Sequence, residues 1–237
     1  MENSEKKSLI STGSSNLAKT EKLLSITKKI LNEIKSTTQY ESVNIGSQEW
    51  MVKNLDVDRF RNGDLVPHVV TDEEWRVAGE NGQPAWCFYD NYPENGKIYG
   101  KLYNWYAVND PRGLAPEGWH IPTDEEWTIL TDFLGWFAGE MMKTVEGWKD
   151  WLNYVYEEGY IIRSGNGNNS SGFTGLPGGY RYYNGEFNGL GSEGGWWSSS
   201  EDSDGNPWPL YLHDDGDVGG CHGSNKEAGL SVRCLRD

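Results

Sequence analysis

Residues 99–127 read YGKLYNWYAVNDPRGLAPEGWHIPTDEEW, and their interpretation decides the fold. Tyr99, Tyr103, Trp105 and Tyr106 crowd four aromatics into eight residues, which predicts a buried aromatic strand. Turns follow at Pro111-Arg112-Gly113 and Pro116-Glu117-Gly118. Thr123 and Glu126 then form an S/T-x-x-E capping box, so a helix begins there. Trp127, Leu130 and Phe133/Leu134 fall on one face of it, and Gly135 stops it. A strand feeding a capped amphipathic helix is a folding nucleus, not a catalytic signature.

Outward from this nucleus, the chain reads as α+β. Strands are expected at Val43–Ile45, Glu49–Asn54, Ala85–Tyr89, Gly194–Ser199 and Leu230–Leu235. Thr71-Asp-Glu-Glu-Trp75 repeats the Thr123–Trp127 motif and predicts a second capped helix over Asp72–Ala78. A further helix is expected at Ala138–Val145. Glu146–Ile162 is ambiguous and has the look of an insertion. The expected architecture is two main helices against a small, twisted, mostly antiparallel sheet, with long loops. Only 36% of the residues are hydrophobic, so the core must lean on the 12 Trp and 13 Tyr. The 30 Gly point to many turns rather than a helical bundle or doubly wound sheet.

Residues 1–42 form a separate appendage. From Asn16 to Lys35, Leu17, Leu24, Leu31 and Ile34 lie at heptad-like spacing beside Leu23, Ile26 and Ile30. This amphipathic helix is expected to pack on its own domain, to self-associate or to dock a partner protein. Residues 1–40 carry seven Lys against four Glu, which leaves a charge of −18 on the rest of a chain whose total is −15. A body that acidic repels phosphate backbones and anionic membranes, so nucleic acid is not an expected partner. No signal-peptide apolar region and no run of about 18 apolar residues is present, so no membrane span is expected. As written the chain reads as soluble and cytoplasmic, or extracellular if a leader was removed. Three cysteines, Cys87, Cys221 and Cys234, make no disulfide framework.

Five motifs in order, YGKLYNWYAV, LAPEGWHIPTDEEW, SSGFTGLPGGYR, GGWWSSSE and GLSVRCLRD, resemble the Fibrobacter succinogenes major paralogous domain over about 43–237. The resemblance implies a C-type-lectin-like fold, related to the formylglycine-generating enzyme group, and a binding role without established chemistry. It also implies Cys87 and Cys234 as the family's usual cysteines.

Between the last two motifs lies Asp202–Ala228, DSDGNPWPLYLHDDGDVGGCHGSNKEA, with one internal strand expected at Trp208–Leu212. Loops of this length in a compact domain are usually functional or disordered, and anchoring at both ends favours function. From His213 to Asn225 every residue is Asp, Gly, His, Val, Cys, Ser or Asn. Each is reachable from an AAC or AAT codon by changing only adenines. This resembles the variable region of proteins diversified by diversity-generating retroelements. The expected contact face is Trp208, Tyr211, His213, Asp215, Asp217, His222, Ser224 and Asn225. Such residues combine adaptable hydrogen bonding with moderate apolar area. The ligand is an unidentified protein or carbohydrate.

Rival chemistries are weaker. His213, Asp214, Asp215, Asp217, Cys221 and His222 match no zinc spacing, and DDGD lacks the full calcium-loop pattern. A calcium-dependent carbohydrate-binding or cell-surface module is the alternative function, with calcium its cofactor; otherwise no cofactor is expected. Formylglycine chemistry needs a second matching cysteine that is not evident. No G-x-S-x-G, H-E-x-x-H or P-loop occurs. His120 reads as a packed strand residue, and His68 has no visible partner. The chain therefore reads as a non-enzymatic ligand-binding protein.

Overall fold

The computed structural model describes residues 19–30, 40–156, 158–216, 218–220 and 224–237. The chain divides into two compact units, Met1–Tyr40 and Glu41–Asp237. In the first, residues 19–30 form a helix, α1, with Leu23, Leu24, Ile26 and Ile30 exposed. The rest of the helix expected over 16–35 lies outside the described residues.

The second unit opens with a hairpin, β1 (Ser42–Ile45) and β2 (Gln48–Met51). Gly46 takes the left-handed conformation its turn needs, at φ 61°. The chain's last strand, here β13 (Leu235–Arg236), inserts between β2 and β5 (Trp119–His120), giving the order β1-β2-β13-β5. Leu235 pairs with both Trp50 and His120. The expected strand over Leu230–Leu235 is thus shorter and later, preceded by isolated bridges such as Tyr103 to Leu230.

The helices α2 (Asp72–Glu80) and α5 (Asp124–Leu134) both start at the predicted capping boxes, Thr71/Glu74 and Thr123/Glu126. Gly135 ends α5 at φ 71°. Trp127 and Leu130 are buried as expected, whereas Phe133 is largely exposed. The aromatic stretch before α5 departs further from expectation. It comprises the end of α3 (Pro93–Tyr99), a two-residue strand β4 (Leu102–Tyr103) paired with β3 (Trp86–Cys87), and a helical turn α4 (Trp105–Val108). Asn104 sets that break. Its buried side chain accepts from the N–H groups of Ala107 at 3.1 Å and Ala85 at 2.9 Å, and donates to Gln83 O at 2.8 Å. An N-cap of this kind converts an aromatic run into a helix start.

After α6 (Ala138–Met142), the ambiguous 146–162 region folds into a separate hairpin, β6 (Trp151–Val155) with β7 (Gly159–Arg163). The larger sheet follows, ordered β12-β11-β10-β8-β9. Its members are β8 (Gly178–Arg181), β9 (Phe187–Leu190), β10 (Glu193–Glu201), β11 (Pro207–His213) and β12 (Val218–Gly220). Every pairing is antiparallel except β10 with β8. The architecture is therefore α+β with several small sheets rather than one. Its main core packs Trp50 on Trp127, centroids 4.5 Å apart, with Phe173 edge-on to both and to Trp196. Offset and edge-on contacts suit the ring quadrupoles.

Candidate functional site

The described residues of the 202–228 segment are held largely through the main chain. The Asp202 carboxylate accepts from the N–H groups of Asp204 at 2.9 Å and Asn206 at 2.8 Å, closing the link between β10 and β11. β11 then pairs along β10, with Trp196 opposite Leu210 and Gly195 opposite Tyr211. Beyond β11, the buried ammonium of Lys143 donates to His213 O at 2.9 Å and Asp214 O at 3.3 Å. Asp214 N donates to Ser192 O. α6 passes so close that a Cβ on Gly139 would lie 2.4 Å from Gly216 O. On the return path, Ser224 N donates to Pro207 O. Trp105 N donates to Lys226 O at 2.9 Å, and the Trp75 indole donates to Glu227 O at 3.0 Å.

Lys143→Met is expected to destabilise the fold by about 2–4 kcal/mol, since two half-buried carbonyls lose their donor at about 1–2 kcal/mol each. Hydrogen exchange should show amides 213–216 losing protection before the rest of β10–β11.

The eight expected contact residues do not share one face. Leu210 and Leu212 point into the main core, so by strand alternation Trp208 lies on their side and Tyr211 and His213 on the other. Tyr211 is 8% exposed, packed against Gly195 and stacked on His213 at 6.0 Å. Little of its side chain is therefore open to solvent. Trp208, His213 and Ser224 are half-buried, and Asp215 and Asn225 are exposed. The Asn225 side chain accepts from Glu227 N at 2.9 Å, fixing the return turn. Asp217 and His222 lie outside the described residues, as does Cys221.

A cleft of about 210 Å³ opens between α5 and this segment, lined by Asp124, Trp127, Thr128, Thr131, Pro209, Leu210 and Val218. Trp127 is 3% exposed, and its indole N–H has no acceptor among the described residues. An unpaired buried donor costs about 1–3 kcal/mol, so it asks for an explanation.

A second constellation escaped the sequence reading. His120 bridges two carboxylates, Nδ1 to Asp237 Oδ1 and Nε2 to Glu126 Oε1, both at 2.9 Å. His120 lines one cleft of about 300 Å³ with Arg61, Thr123 and Ser199. Glu126 and Asp237 line another, of about 440 Å³. Both imidazole nitrogens are taken, so neither stands ready to accept a proton from Ser199. Burial pushes the imidazole pKa down from 6.5, but hydrogen bonds and charges from Asp237 and Glu126 outweigh it and leave it raised. Burial likewise opposes ionisation of Glu126, yet Thr123 and His120 hold its carboxyl below its ordinary 4.5. The sign follows from linkage. His120 contributes stability fully below pH 6.5, lost as pH rises through its raised folded value. Glu126 contributes above pH 4.5, lost as pH falls. Urea midpoints should therefore decline from pH 6 towards 8 in the wild type, and His120→Gln should flatten that slope.

The other site candidates are structural. His68 stacks on Trp86 with centroids 4.0 Å apart, so it does have a partner. Cys87 and Cys234 are buried free thiols, each pushed up to about 12 by burial, which suppresses thiolate chemistry. Among the described residues no three His, Cys, Asp or Glu side chains gather to hold a metal ion, and no helix is long and apolar enough to cross a membrane.

These features define an α+β domain that closes its first sheet with its last strand and grips a long excursion by the backbone. Over residues 43–236 the chain matches the model of the Fibrobacter succinogenes major domain, and it belongs to that family. No curated protein and no solved structure matches it.

Proposed function

We propose that the chain is a non-enzymatic ligand-binding protein, with a C-type-lectin-like scaffold presenting residues 202–228 as its contact surface. One observation carries this reading. The scaffold holds the segment by its carbonyls, those of His213, Asp214, Lys226 and Glu227. Carbonyl anchors are indifferent to side-chain identity, so exposed side chains beside them can change while the anchors hold. A changeable surface on a fixed path is what adenine-directed diversification of 213–225 would exploit. The occupied nitrogens of His120 and the buried protonated thiols support the non-enzymatic reading.

The test starts from protein and glycan arrays probed with the full chain. The double substitution of His213 and Asp215 by alanine is expected to weaken binding to any hit at least about tenfold, roughly 1.4 kcal/mol, with a cooperative melting transition retained. Unchanged binding would move the contact surface elsewhere. For diversification, the gene's locus should contain a near-copy of the codons for this segment, differing at adenines, beside a reverse transcriptase. Its absence would leave 202–228 a fixed surface.

A further inference from the structure

We propose that the β6–β7 hairpin is a self-association surface, which stacks face to face and tip to base on the hairpin of a second copy of this chain. The register sets Leu152 opposite Ile162 and Tyr154 opposite Tyr160. By strand alternation these four share one face, and Tyr156 is next in the same alternation beyond β6. All five side chains are 63–83% exposed. The Tyr154 and Tyr160 rings already meet edge to face, centroids 5.3 Å apart, so they form one surface. The opposite face, with Trp151, Asn153, Val155 and Ile161, is half-buried. The base is tied down, as Trp148 N donates to Asn166 Oδ1 at 2.9 Å and Lys149 N to Gly191 O. Neither strand pairs with any other among the described residues, and a lone two-stranded hairpin is marginal in water.

Three properties of the face select a second copy. The first is area. Five such side chains offer about 600 Å² of mostly apolar surface, at the top of what a monomer leaves bare. Two copies stacked together bury about 1,200 Å², where specific interfaces begin. The second is charge. Each copy carries −15, so copies repel wherever their acids meet. None of the five side chains is charged, so here the copies can approach. A partner drawn in by the acidic body would need acid on this face instead. The third is the difference between the two ends of the hairpin. Lys149 and Arg163 flank the base with one acid, Asp150, whereas Glu157 and Glu158 lie between β6 and β7 in the sequence. The two ends are about 15 Å apart, too far to pair within one hairpin. Two-fold stacking with the strands reversed brings each acidic tip to the partner's basic base. It also lays each tyrosine pair on the partner's Leu152 and Ile162, the aromatic and branched-aliphatic contact that sheets favour. An isologous interface of this kind closes at two copies.

The test is sedimentation equilibrium of the full chain over a micromolar to submillimolar series, where a monomer–dimer equilibrium is expected. Tyr160→Ser should weaken it at least about tenfold. The position is exposed, so the core is untouched. If that variant does not fold, charge exchange at the two ends decides. Glu158→Arg and Arg163→Glu should each weaken association at least about threefold. An equimolar mixture of the two should recover the wild-type affinity, because the exchanged charges then face each other across copies. Trp136→Ser, at an exposed aromatic outside the hairpin, and Leu24→Ser, on α1, should change nothing. A chain that stays monomeric throughout overturns the proposal. So does dimerisation that Tyr160→Ser leaves unchanged, or that is lost with Leu24→Ser or Trp136→Ser instead. Charge variants that fail to restore each other overturn the tip-to-base arrangement.

Discussion

Replacing Arg233 with methionine is expected to lower stability by about 3 kcal/mol, as three carbonyls lose their donor at about 1–3 kcal/mol each while the cost of burying the charge is relieved. The guanidinium is fully buried. It donates to Asn54 Oδ1 at 2.7 and 3.1 Å, to Met51 O at 3.0 Å and to Thr174 O at 3.3 Å, and also to Phe173 O. Its Cζ lies 4.5 Å from the Phe173 centroid. Methionine fills much of the volume but donates nothing. Asn54 keeps the Trp196 indole at 2.8 Å, while the carbonyls of residues 51, 173 and 174 lose a charged donor. For a domain this large each kcal/mol moves the melting temperature by about 2–4 °C, so calorimetry should show a fall of about 10 °C. A fall under 2 °C would mean that these carbonyls find other partners.

Arg181→Met should cost about 3 kcal/mol by the same stranding of buried acceptors. Arg181 is buried, with its charge 4.7 Å from the centroids of both Trp75 and Phe187. It donates to Gly185 O at 2.9 Å and to Val69 O and Val70 O at 3.0 Å, tying α2 to β8 and β9. It also meets Asp72 at 3.1 Å, but that carboxylate is 68% exposed. An ion pair with one exposed member contributes about 0–1 kcal/mol. Asp72→Asn should therefore change the melting temperature little. A larger loss in Asp72→Asn than in Arg181→Met would assign the arginine's role to the ion pair instead.

These two arginines mark where sequence reading stops. Both capping boxes were legible, because a cap is a local device spanning four residues. The α+β class was legible too, from capped helices between short strands. Arg181 and Arg233 were not, since nothing local says that a cation is buried; their partners lie up to 182 residues away. The His120 bridge is hidden for the same reason, joining residues 120, 126 and 237. The burial of Tyr211 went unread although a signal existed. PWPLYLH is a continuous apolar run, which marks a strand buried on both faces rather than one with an open side. The β6–β7 hairpin also left a trace in the alternation of Leu152, Tyr154 and Tyr156, all now exposed. Asn104 was read as part of an aromatic strand because its cap is recognisable only once α4 is known.

The position of β13 bears on how this protein tolerates genetic change. The strand that bridges β2 and β5 is encoded downstream of 202–228, and so is Arg233. A frameshift or stop codon anywhere in that segment therefore deletes both the closing strand and the cation beneath Phe173. The product lacks the strand that joins β2 to β5 and part of its core, and proteases of the cell would clear it as an unfolded chain. In-frame exchanges of exposed side chains leave both intact. Folding itself thus works as a proofreader, and a chain that survives has had the codons for 202–228 read in frame to the end.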